Sequence, residues 1–186
     1  MIIEPTIRSF AAGLLLIVGA CVPGSYWEAG GDFESGIGEF RYAGADRDFR
    51  TRVVGNPFTV PRAVTERAVI AAMRGRDKGM RTNFTTMPRN TYRRYHIVML
   101  FNPTRTGSAA CGTPERYAGT GQRGEVSLAA LLCDGDRLVY GIGGTVSGVT
   151  RPDGPRFDAF MNNLMDYFVP YESMIDDDPD DDDDGG

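Results

Sequence analysis

Apolar positions along the chain fall into a few separate rhythms, and the clearest lies near the end. Phe157, Phe160, Met161, Leu164, Met165 and Phe168 recur at helical spacing between Pro155 and Pro170. That pattern predicts an amphipathic helix bounded by the two prolines, and Asp153 sits near the positive end of its dipole. A second helix is predicted over "PRAVTERAVIAAMRG", from Pro61 to Gly75, with Val64, Ala68, Ala71 and Ala72 on one face, flanked by Val69 and Met73. In "YRRYHIVMLF" every position from Ile97 to Phe101 is apolar, as expected of a central strand buried on both sides. "GEVSLAALLC" and "RLVYGIGGTVSG" read as two strands flanking Asp134-Gly135, a pair suited to a type I′ hairpin turn. "TNFTTMP" is a weaker strand signal.

Together these elements predict an α+β fold. It would be a two-layer sandwich, a mostly antiparallel sheet of about four strands with two helices on one face, neither crossing between parallel strands. The expected domain covers residues 53–172. Ahead of it, residues 21–52 include "YWEAGGDFESGIGEFRYAGADRDF", rich in glycine and charge and without a sustained period. This reads as a flexible tether. Residues 173–186 read as a disordered acidic tail.

The remaining rhythm is an apolar run of 11 residues from Phe10 to Ala20, preceded by Arg8. As a helix it would span roughly 16 Å, about half a bilayer core. Too short to cross, it fits the core of an export signal. The run ends in Val18, Gly19, Ala20 and Cys21. These four residues resemble the lipobox of bacterial lipoproteins. The resemblance covers residues 1–21 and implies that residues 1–20 are a signal peptide cleaved before Cys21, whose sulfur then carries acyl chains. It also implies a periplasm-facing protein, and Val22 where inner-membrane retention often uses Asp favours the outer membrane. No family is recognised in the rest of the chain.

The three cysteines fit that reading. With Cys21 acylated, Cys111 and Cys133 remain as a pair, and the periplasm is oxidising. A disulfide between them would close a loop of about 23 residues and stabilise by roughly 3 kcal/mol on the chain-entropy account. A single histidine and the lack of C-x-x-C spacing speak against a metal site, and no cofactor is implied.

Charge is divided along the chain. The formal net charge is −5, yet eight aspartates lie between Asp176 and Asp184, so the rest carries +3. Nineteen of the twenty cations are arginine, a global coding bias and not a nucleic-acid surface. Arg74, Arg76, Lys78, Arg81, Arg89, Arg93 and Arg94 cluster with Tyr92 and Tyr95 interleaved. Arg89, Arg93 and Arg94 are the candidates for binding an anionic ligand: lipid headgroups, a cell-wall polymer, an acidic partner, or the chain's own aspartate tail.

Other motifs carry less. "GTGQRG" from Gly119 to Gly124 matches a dinucleotide fingerprint in letters only, because a loop precedes it and a strand follows. The glycines of "GIGGT" suggest close packing in a strand. Asp180, Asp182, Asp184 and Gly185 have EF-hand-like spacing without the closing glutamate. His96, the sole histidine, lies within a strand. Glu125, Asp134, Asp136, Asp153 and Asp158 fall mostly at turns and caps. The reading is therefore a non-enzymatic envelope lipoprotein that binds or supports an envelope protein or anionic polymer. Its rivals are an envelope hydrolase using carboxylates or His96, and a purely electrostatic binding module.

Overall fold

The computed structural model describes residues 24–121 and 124–171. Six strands form one mixed sheet in the order β1-β6-β5-β4-β2-β3. They are β1 (Gly24–Gly31), β2 (Asp48–Val54), β3 (Asn83–Thr85), β4 (Tyr95–Phe101), β5 (Glu125–Asp134) and β6 (Arg137–Ser147), with helix α1 (Phe33–Gly44) after β1, α2 (Arg62–Met73) after β2, α3 (Ser108–Gly112) after β4 and α4 (Pro155–Phe168) after β6. Pairings β1–β6, β6–β5 and β5–β4 are antiparallel, whereas β4–β2 and β2–β3 are parallel. The expected four-stranded, mostly antiparallel sheet with two helices is thus corrected to six strands in a mixed sheet with four helices. The segment holding α2 does cross between parallel strands, from β2 to β4.

The correction comes mainly from residues 24–52, expected as a tether. They supply β1, α1 and most of β2. Asp32 caps α1, its carboxylate accepting from the backbone N–H of Glu34 at 3.1 Å. The glycines of this stretch are points of close approach. A Cβ on Gly36 would lie 2.4 Å from the Tyr140 ring, and one on Gly44 would lie 2.7 Å from Phe49. Glycine here lets α1 sit down on the sheet.

Both sheet faces are covered, unequally. Phe40 of α1, Val69 and Met73 of α2 and the apolar face of α4 pack against Phe49, Val53, Ile97, Met99, Phe101, Leu128 and Tyr140. All six periodic residues of α4 are buried. On α2 the buried residues are Thr65, Val69, Ile70 and Met73, so the face is centred on the expected flank of Val69 and Met73 and not on the alanines. The opposite sheet face holds Val54, Val98, Leu100, Ala129, Leu131 and Cys133, with Ala110 and Cys111 of α3. Here Cys111 and Cys133 form a disulfide with Cα atoms 5.7 Å apart, joining α3 to β5. The β5–β6 turn lies one residue later than expected. Asp134 pairs with Arg137, and Gly135 takes φ +58° while Asp136 does not take positive φ. This is the glycine-first pattern of a type II′ turn.

Candidate functional site

One end of the sheet gathers the starts of β2 and β4, the β5–β6 turn and the C-terminal half of α1. Asp48, the first residue of β2, anchors the loop that precedes β4. Its carboxylate accepts from the backbone N–H of Arg89 at 2.6 Å, from that of Asn90 at 3.2 Å and from Asn83 Nδ2 at 2.6 Å. Its own backbone N–H donates to the Asn90 carbonyl at 2.9 Å. The Arg89 and Asn83 donors, followed by that of Asn90, hold the Asp48 carboxyl below its ordinary value.

That loop places Tyr92 against α1. The rings of Tyr42 and Tyr92 stack with centroids 4.5 Å apart and planes 14° from parallel. Tyr95 meets Tyr42 edge-on at 6.1 Å. The Arg47 guanidinium lies 4.4 Å from the Tyr92 ring centre, a cation–π contact. Tyr42 is 58% exposed. Gly38, Arg41, Tyr42, Ala45, Arg47 and Tyr92 line a shallow open depression.

A chain of ionic contacts fixes this face from below. Tyr95 donates to Glu39 at 3.1 Å, and Arg137 donates to both Glu39 and Asp134. Arg94 grips Asp134 with two bonds of 2.7 Å, the fork geometry that suits a carboxylate. Burial raises the Asp134 carboxyl, but Arg94 and Arg137 outweigh it, so the net shift is downward. Asp134 is ionised at neutral pH, and the network keeps Tyr95, and through it Tyr42, in place.

The structure divides the basic stretch. Arg89, Arg93 and Arg94 are all exposed, and Arg93 follows Tyr92 directly in the chain. Arg94 is already committed to Asp134. Arg81 pairs with Asp46 at 2.7 Å. Lys78 donates to the Asp166 carbonyl and sits 3.9 Å from the Tyr171 ring centre. Arg74 and Arg76 line a groove between α2 and α4. Residues that were missed complete the site: Glu39, Tyr42 and Arg47 come from the expected tether, and Arg137 from the hairpin. Only tertiary folding brings them together.

His96 lies on the disulfide face, opposite Cys133 in the ladder. Its Nδ1 is 3.4 Å from the Arg94 carbonyl oxygen. Burial lowers its pKa, and Arg52 and Arg50 add to the effect; the imidazole is neutral. No carboxylate or hydroxyl hydrogen-bonds it among the described residues. Of the carboxylates named from sequence, Asp153 pairs with Arg151 at 2.8 Å, and Glu125 and Asp136 lie near the start of β5 and at the hairpin turn, respectively. Asp158 sits in the first turn of α4. Among the described residues, no group of His, Cys, Asp and Glu is placed to hold a metal ion. Two of the "GTGQRG" glycines serve packing, since a Cβ on Gly119 would lie 2.6 Å from the Asn102 carbonyl oxygen and one on Gly121 2.3 Å from Asn102 Nδ2, whereas Gly124 takes φ +78° in open space. Cys21 and the aspartate tail lie outside the described residues. Among the described residues, no helix is long and apolar enough to cross a membrane.

No protein-family model and no curated protein matches the chain. A solved structure, a PelC dodecamer from Paraburkholderia phytofirmans, aligns with it at 16% identity and a TM-score of 0.38, over 77% of this chain and 92% of that one. A likeness of that size does not establish a shared fold.

Proposed function

We propose that the chain is a non-enzymatic envelope lipoprotein, with a small periplasmic binding domain held to the outer membrane by an acylated Cys21. The observation that carries this reading is the Cys111–Cys133 disulfide. It consumes two of the three cysteines, and the one left over stands at the end of the lipobox-like run. Such a bridge also suits an oxidising compartment. Between Cys21 and β1 there are only Val22 and Pro23, so the domain sits close against its bilayer. A hydrolase built on His96 draws no support from that residue's surroundings.

Intact mass of the protein extracted from membranes tests the proposal. The expected mass is that of residues 21–186 plus acyl chains, with the disulfide closed. A polypeptide that begins at Met1 and carries no lipid overturns it.

A further inference from the structure

We propose that the face formed by Tyr42, Tyr92 and Arg47 is a binding site for a carboxylate-bearing glycan strand. This deepens the reading of the domain as an envelope binding module and rests on it for the compartment in which such a polymer is met.

Three observations carry it. The first is the ring pair. An exposed tyrosine, 58% accessible, is held flat by a parallel partner at 4.5 Å and an edge-on neighbour at 6.1 Å. A fixed aromatic plane of this kind complements the C–H face of a sugar ring and loses little entropy on binding. The second is the rim. Arg47 lines the same depression, and guanidinium is the group best shaped for a carboxylate. The third is form. The depression is open, and Gly38 and Ala45 in its lining carry little or no side chain, so a strand can lie across it; a side chain added at Gly38 would meet nothing within 4 Å.

Position excludes the anchoring membrane as the ligand. Gly24 pairs with Val146 at one end of the sheet, while Gly31 pairs with Tyr140 at the other, beside the Tyr95–Asp134 and Asp134–Arg137 pairs. The eight residues of β1 therefore separate the anchor end from the tyrosine end by roughly 23 Å at strand rise. With Cys21 in the bilayer, the tyrosines face away from it.

The test uses the purified full-length chain and two polymers, polygalacturonate and neutral dextran, with binding followed by calorimetry at two salt concentrations. Polygalacturonate is expected to bind, more weakly at higher salt, and dextran not to bind. Tyr42→Ala and Gly38→Glu should each weaken binding about tenfold while the domain still unfolds in one cooperative thermal transition. Gly38→Glu puts a repelling carboxylate in the depression at an exposed helical position, so it tests the site even if loss of the ring disturbs α1. Equal binding of dextran, or wild-type affinity in both variants, overturns the proposal. So does a polyaspartate peptide that binds as tightly and is indifferent to Tyr42→Ala, because the surface would then be a simple cation cluster. Acylation does not enter this assay: an unlipidated chain that binds polygalacturonate removes the anchor and keeps the site, and a lipidated chain that does not bind removes the site alone.

Discussion

Replacing both bridge cysteines, Cys111→Ala with Cys133→Ala, should destabilise the domain by about 3.4 kcal/mol. The bridged residues are 22 apart in sequence, and the chain-entropy relation for a loop of that size gives ~3.4 kcal/mol at 25 °C. The bridge has little local backup. Helix α3 has five residues, far below the length at which a helix persists alone. It is held by burial of Ala110 and Cys111 and by Ser108, whose hydroxyl accepts from the Leu138 backbone N–H at 3.1 Å. For a domain of this size each kcal/mol is worth about 2–4 °C, so the melting temperature should fall by roughly 7–14 °C. Trp27 is the only tryptophan, and it packs on the same apolar cluster as the bridge. Urea unfolding followed by its emission reads the loss directly, with a lower m-value in the bridged parent if the crosslink compacts its unfolded state. A loss below about 1 kcal/mol would refute the reasoning, since it would mean the 22-residue connection is already constrained without the bond.

Asp48→Ala should cost roughly 1–3 kcal/mol and free the Arg89 and Asn90 amides, seen as faster hydrogen exchange in the loop before β4. The parent should show a related pH effect. Because the folded Asp48 carboxyl titrates below its ordinary 3.8, its contribution is complete above that value and is lost as pH falls through the lower folded one; equal exchange of this loop in parent and variant at neutral pH would argue against the anchor. Two glycine substitutions should move in opposite directions in thermal melts. Gly143→Ala would put a Cβ 2.3 Å from the Trp27 ring and destabilise by about 1–3 kcal/mol, whereas Gly38→Ala, in an exposed helix interior with space around it, should stabilise by about 0.5–1 kcal/mol.

The parts of the fold legible in the sequence were those whose burial leaves a periodic trace. Helix α4 buries one face against the sheet, and its six apolar residues repeat accordingly. Strand β4 is covered on both sides, and its apolar run is unbroken. The bridge followed from the odd cysteine count once Cys21 was set aside. What escaped notice has a common cause. At β1 and α1 the contacts are made by absent side chains: Gly36 and Gly44 admit Tyr140 and Phe49, so the residues that mark tight packing are the same ones that mark flexibility in a linear reading. For α2, Thr65 is buried with its hydroxyl bonded to Asn56 at 2.8 Å, and a buried polar residue of this kind leaves no mark in an apolar periodicity. At the site, Arg94, Tyr92 and Tyr95 were legible as a charged aromatic run. Their partners Glu39, Tyr42 and Arg137 are 40 or more residues away from at least one of them, and no local spacing predicts that meeting.

The pairing of β1 with β6 has a mechanical consequence. Its hydrogen bonds run across the strands, and Gly24 emerges along the strand axis at the sheet end remote from the tyrosines. If the chain is leashed at Cys21 while something tugs at the far end, the pull runs parallel to β1. All rungs of that ladder then bear the load in shear, and none can be unzipped one at a time.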